Sequence, residues 1–403
     1  MSPTVFRRCS ALTTSGVFLF LTLPFLGACQ DPSGVGLDVL GEEGTDPAVS
    51  VVAADMVTTE EENEFTGGFA RSITPTQTRV LVGAAIDPML GDVSAFAYAD
   101  IIAPETVPDG YFERPIIAAT LRLVRNYVYG DSTVSVPLQL YQMDASWLPI
   151  GAPSDTTFDA GALLLETTVL AEDSVVALGL PASWISQYDE ILQSDTVASA
   201  IDGFQIRLPD GVVPGAVMGF DTALSTLEVR TAQDTVDYPL FEVFSHIDRD
   251  DAAPPPTDRI VLRSGAGEAL ALTFPFVDFD NLPLANATLR LTVDPALLNE
   301  PGFARPIPAS LSLFGRTESG DRLAILDASL NEASNSYSFT SATLTALVQE
   351  ALIGDAIVDR FELSVTSSTA SVDALPLIIG PEPLAGETDS RPRFALTVIP
   401  RPS

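Results

Sequence analysis

Short runs in which apolar and polar residues alternate fill much of this 403-residue chain, among them 120–124 (TLRLV), 134–143 (VSVPLQLYQM), 225–231 (STLEVRT) and 391–398 (RPRFALTV). A period of two puts every second side chain on one face of an extended strand, so each run can bury one side and wet the other. Antiparallel sheets do this, and Gly, Pro, Asn and Asp at the ends of the runs fit the turns between their strands. The expected class is all-β.

The runs recur in order. Ala118-Ala119-Thr120-Leu121-Arg122-Leu123-Val124 returns as Asn286-Ala287-Thr288-Leu289-Arg290-Leu291-Thr292, an offset of 288 − 120 = 168 residues. An alternating run follows each copy, at 134–143 and 308–316. Next comes one stretch of helical spacing: Trp184, Tyr188, Ile191 and Leu192 in the first copy, Leu344, Leu347, Val348, Ala351 and Leu352 in the second. Strand patterns at 202–208 and 359–365, then 225–231 and 391–398, close the two copies. Five elements in one order point to a tandem duplication. We expect two tandem antiparallel β-sandwich (jelly-roll-like) domains, each with one short amphipathic helix. In 121–130 the alternation sets Leu121, Leu123, Tyr127 and Tyr129 on one side.

Between the copies lies Asp248-Arg249-Asp250-Asp251-Ala252-Ala253-Pro254-Pro255-Pro256-Thr257. Three consecutive prolines cannot continue a helix or a central strand. Residues 49–247 and 258–403 are therefore expected as the two domains, 248–257 as a semi-rigid linker, and each domain is expected to fold alone.

The N-terminus has another character. Arg7-Arg8 precede an uncharged apolar run that ends Leu26-Gly27-Ala28-Cys29, the layout of a secretory signal peptide spanning 1–28. Its end resembles the bacterial lipobox, which implies cleavage between Ala28 and Cys29 and acylation of Cys29. Several acyl chains make membrane attachment stable, where one leaves it reversible. A retained membrane helix is the competing reading, disfavoured by Pro24 and a span near the minimum length. Residues 29–48, rich in Gly, Asp, Glu and Pro, are then a lipidated flexible tether. The only other cysteine, Cys9, leaves with the signal peptide, so no disulfide and no thiolate metal site is expected.

The chain carries 54 acidic and 20 basic residues, a formal net charge of −34, and no lysine. Nucleic acid is excluded as a partner, since that affinity comes from cations neutralising phosphates. Such acidity repels itself in dilute buffer and is screened near 1 M salt, where the Debye length is about 3 Å. A saline habitat and codon bias toward Arg both account for it.

No enzyme and no cofactor is expected. The single histidine, His246, is the only imidazole available as a base, and no Gly-x-Ser-x-Gly elbow exists. Gly130-Asp131-Ser132-Thr133 resembles the GDS block of an esterase family, a remote alternative, yet Val243 stands where that family pairs an Asp with its His. Between alternating runs the block reads as a turn. Asp248, Asp250 and Asp251, and Asp278, Asp280 and Asn281, offer oxygen ligands at alternating spacing, without the Gly and distal Glu of a calcium loop; no metal site is expected. Glycan binding requires an open aromatic face. Trp147, Tyr127, Tyr129 and Tyr141 are the aromatic candidates, and Trp147 alone looks loop-placed. Trp184 sits on the apolar stripe of a helix and reads as core.

The second half, through DRIVLRSGAG, NATLRLTV, SLSLFGR, DRFELSV and RPRFALTV, resembles the DNRLRE-type domains of secreted bacterial proteins, β-sandwich modules similar to carbohydrate-binding modules. The first half, through VLVGAAIDPMLGDVSAFAYADI and AATLRLV, is similar to a family of uncharacterised lipoproteins. The main expectation is a non-catalytic, lipid-anchored binding or adhesion module at the outer membrane, with a glycan as its ligand and the loop-placed Trp147 as the contact residue. The alternative is a structural accessory subunit that docks an envelope protein. Gln30 after the cysteine, in place of the Asp that favours inner-membrane retention, points to the outer membrane.

Overall fold

The computed structural model describes residues 48–60, 78–87, 91–148, 156–194, 200–250, 259–264, 268–276, 283–294, 299–354, 356–365, 372–378 and 390–399. The signal peptide, Ala28, Cys29, the tether up to residue 47, linker residues 251–257 and Asp278, Asp280 and Asn281 lie outside them.

The class is all-β, and every strand pair among the described residues is antiparallel. In chain order the strands of the first part are β1 (Ala48–Val52), β2 (Asp55–Glu60), β3 (Arg79–Asp87), β4 (Gly91–Ile101), β5 (Ile116–Gly130), β6 (Ser135–Met143), β7 (Ala160–Leu170) and β8 (Val175–Gly179), then helix α1 (Ala182–Leu192), β9 (Phe204–Arg207), β10 (Ala216–Thr231) and β11 (Thr235–Asp250). The second part holds β12 (Arg259–Arg263), β13 (Glu268–Thr273), β14 (Leu284–Thr292), β15 (Asn299–Glu300), β16 (Phe303–Ala304), β17 (Ser310–Arg316), β18 (Arg322–Ser329) and β19 (Ser336–Thr340), then helix α2 (Ala342–Leu352), β20 (Arg360–Val365), β21 (Ala374–Ile378) and β22 (Arg393–Val398).

Pairing follows one scheme in both parts. β5 pairs with β8 and β10, and β14 with β19 and β22. β6 pairs with β7 and β9, and β17 with β18 and β20. β4 then borders β9, and β13 borders β20. Each helix follows the strand that pairs at the sheet edge, and α2 starts where the Ser341 hydroxyl accepts the Leu344 N–H at 3.0 Å. Its buried Leu344, Val348 and Leu352 repeat every fourth residue, as the sequence spacing predicts. In α1 the buried residues are Trp184 and Leu192.

Between the two sheets of the second part lies one apolar cluster, which takes Leu289, Leu291, Phe339, Phe394 and Leu396 from one side and Leu270, Leu272, Leu311, Leu313 and Leu363 from the other. Face-to-face sheets with inward-facing alternate residues make a sandwich. In the first part Leu121, Leu123, Leu138, Leu140, Ile206 and Leu227 do the same.

The boundary at 49 needs correction. β11 runs along β10 over Thr235–Pro239 and then crosses to β4 over Leu240–Asp250, with a register shift between Leu240 and Val243. The matching positions of the second part are filled from the N-terminal end of the chain, β1 beside β22 and β2 beside β13. Ala53 N–H bonds to Pro392 O and Ala54 N–H to Thr273 O, both at 2.9 Å, so the chain steps between sheets at this pair. Val51 is buried in the second core. Residues 48–60 thus complete the C-terminal half. Asp248–Asp250, expected as linker, are strand residues opposite Ser94–Asp92.

A second correction concerns β5. Tyr127 faces Gly219 and Arg125 faces Phe220, so Asn126 has no partner, which makes a bulge. One extra residue inverts the alternation. Leu121 and Leu123 enter the main core, whereas Tyr127 and Tyr129 point the other way, into a separate cluster with Leu81, Val217 and Ile247. At Gly219 a Cβ would meet the Arg79 side chain at 2.5 Å and Tyr127 Cβ at 2.8 Å, so only glycine lets Arg79 lie over the Tyr127 ring.

That cluster also contains Val372, with Phe303 packed against it, both from the second part. Tyr127 Oη accepts the Val372 N–H at 3.2 Å, Arg249 Nη2 donates to Ser264 O at 2.7 Å, and Ala304 bridges to Gly130. Asp46–Ser403 accordingly forms one compact unit.

Candidate functional site

β4, β6 and β11 carry Tyr98, Met143 and Phe244, which with Trp147 form a buried cluster apart from the main core, against which Phe96 and Phe158 pack. Each of these strands buries the alternate residues on its opposite face, such as Ala97, Ala99, Leu140 and Val243, in the main core. Onto this second face Trp147 and Phe158 pack. Trp147 packs against Tyr98 and Phe158 with ring centroids 5.6 and 5.4 Å apart, and Tyr98 meets Phe158 edge-on at 5.0 Å. Three hydrogen bonds hold these residues in place. Trp147 Nε1 donates to Asp202 O at 2.9 Å, Phe158 N–H to Tyr98 Oη at 2.8 Å, and Tyr98 Oη to Phe158 O at 3.1 Å. Burial pushes the Tyr98 hydroxyl up from its ordinary value.

Trp147 therefore sits in a loop, as the sequence suggests, but the residue is only 8% exposed. A sugar cannot stack on a face already covered by Tyr98 and Phe158, so its assignment as a glycan contact is corrected. The other ring candidates are engaged as well. Tyr127 and Tyr129 are buried, and the Tyr141 ring lies 4.5 Å from the Arg207 guanidinium, which also donates to its hydroxyl at 3.0 Å. Trp184 is core, and its Nε1 donates to Gln142 Oε1 at 2.5 Å.

His246 stacks on Phe96 at 4.2 Å, with Nδ1 3.1 Å from Thr156 O. Gly130-Asp131-Ser132-Thr133 is a turn in which Asp131 Oδ1 accepts the N–H and hydroxyl of Thr133 at 2.8 and 2.7 Å. These bonds hold the Asp131 carboxyl below its usual range. Among the described residues no group of three or more His, Cys, Asp or Glu side chains is placed to hold a metal ion. Nor is any helix among them long and apolar enough to cross a membrane.

Two charged arrangements have no signature in the sequence. Asp87 and Arg305 form a buried pair. Glu362, also buried, receives Arg316 through two bonds of 3.0 Å, with Arg322 at 3.6 Å and Arg360 at 3.2 Å. Arg322, Arg316 and Arg360 stand opposite one another on three adjacent strands. Like charges in that register repel, and the buried carboxylate offsets the repulsion.

The sheet edges are the remaining surface of interest. β7 pairs with β6, and no second strand among the described residues borders it. It exposes Leu163 at 45% and Leu170 at 40%, while Leu164, Leu165 and Val169 pack on the core. An end strand of 11 residues offers a row of backbone donors and acceptors beside apolar side chains.

Comparison with known proteins adds little. No family model matches the chain, and no curated protein matches it. One solved structure, a "putative secreted protein" from Parabacteroides distasonis, is 9% identical and aligns over 87% of this chain and 98% of its own, with a TM-score of 0.23. A likeness that weak carries no argument about fold or function.

Proposed function

We propose that this chain is a non-catalytic, lipid-anchored protein of the bacterial outer membrane that serves as a structural subunit docking an envelope protein. The observation that carries the reading is the open edge of β7 with its exposed Leu163 and Leu170. Adding a strand to such an edge gives affinity through main-chain bonds and specificity through alternate side chains. Leu26-Gly27-Ala28-Cys29 supports the anchor and the extracytoplasmic location. The burial of Trp147 supports docking over glycan binding.

The test captures partners from solubilised envelope on the wild-type protein and on Leu163→Asp, beside a glycan array. A stoichiometric envelope protein held by the wild type and lost with Leu163→Asp supports docking. Saturable glycan binding, undiminished in that variant, overturns it.

A further inference from the structure

We propose that residues 48–60 also complete the C-terminal half of a neighbouring copy, so that two chains form a reciprocal strand-exchanged dimer. β1 and β2 are bonded to β22 and β13, strands more than 200 residues further along the chain. A second copy offers the identical segment, so every ladder bond and the burial of Val51 are reproduced across the exchange with no new complementarity required. The covalent connection allows it. From Glu60 to Arg79 there are 79 − 60 − 1 = 18 intervening residues, which extended reach about 60 Å. β11, which fills the same positions in the first half, is joined too closely to its neighbour to reach a second copy. It follows β10 through a turn of 235 − 231 − 1 = 3 residues, closed by Thr231 N–H on Asp234 O at 2.9 Å. Exchange is thus confined to the C-terminal half. It depends on strand pairing alone and stands apart from the anchor and from docking at β7.

Ser50 lies opposite Ala395, and both are exposed. Directly opposed residues bring their Cβ atoms to about 4.5–5.5 Å, close to what a disulfide needs. With Cys9→Ser and Cys29→Ser the full chain carries no other cysteine. In that background Ser50→Cys and Ala395→Cys are made separately, one with a size tag, mixed, unfolded in urea, refolded at high concentration and oxidised. The expected result is a mixed disulfide dimer several-fold more abundant than either like-with-like dimer, growing with refolding concentration. Mixed dimer no more abundant than the like-with-like species overturns the proposal. The chain carrying both substitutions should close within one molecule on dilute refolding; failure there overturns it too, because the pairing itself would be absent.

Discussion

Arg305 grips Asp87 across 218 residues of sequence, Nε to Oδ2 at 2.6 Å and Nη2 to Oδ1 at 2.9 Å, with both side chains essentially out of water. Tyr129 donates a third bond to Asp87 Oδ2 at 2.5 Å, and the guanidinium lies 4.5 Å from the Phe303 ring. This contact joins β3 of the first half to the segment after β16 of the second. Burial and the Asp87 carboxylate push the Tyr129 hydroxyl well above its ordinary value, so it stays a donor. Removing one member strands a buried charge, at a cost of about 3–5 kcal/mol. We expect Asp87→Leu and Arg305→Met each to lose that much in urea unfolding, and the double variant to lose less than either. Additive losses would refute the coupling.

Cutting between the halves is expected to give unequal products. A fragment of residues 259–403 lacks β1 and β2, leaving edges of β22 and β13 bare and Val51 missing from the core. Circular dichroism should show little strand content until a peptide of residues 48–60 is added. A fragment fully folded without the peptide would refute this.

Burial pushes the Asp100 carboxyl up to about 7, aided by the negative charges of Glu242 and Asp202 and opposed by the N–H of Ile101. The folded value lies above the unfolded one, so the folded state holds the proton more tightly. Stability from this group is full below pH about 4 and is lost as pH rises through about 7. Asp100→Asn should raise the thermal midpoint by a few degrees at pH 8 and leave it unchanged at pH 3.5. An equal shift at both values would point to a cause other than titration.

With 54 acidic residues against 20 arginines, the compact state repels itself. We expect the thermal midpoint to rise from dilute buffer to about 1 M NaCl by more than in sucrose, which stabilises by exclusion without screening charge. No extra gain in salt would leave codon bias as the better account of the missing lysines.

Local order was legible in the sequence, and long-range order was not. The alternation in 120–124 and 288–292 marks β5 and β14, and the spacing of Leu344, Val348 and Leu352 marks α2. The bulge at Asn126 is not legible because nothing in RNYVY announces an extra residue; it shows only in the pairing, where Gly219 faces Tyr127 and Phe220 faces Arg125. The residues around Trp147 mark a loop, but its cover, Tyr98 and Phe158, comes from elsewhere in the chain. Residues 48–60 alternate like any strand, and periodicity does not say which half a strand will join. Asp87 and Arg305 are single charges in a chain full of them.

The position of β1 sets the order in which the chain can fold as it is made. A chain leaves the ribosome N-terminus first, and β1 must wait for β22, which ends at Val398. From Val52 that is 398 − 52 = 346 residues, on the order of 17 to 70 s at typical synthesis rates. For that interval an apolar strand with both edges open is present in solution, a state prone to aggregation. The C-terminal half thus cannot mature until its last strand is made, and segment 48–60 stays without its partners for that whole interval.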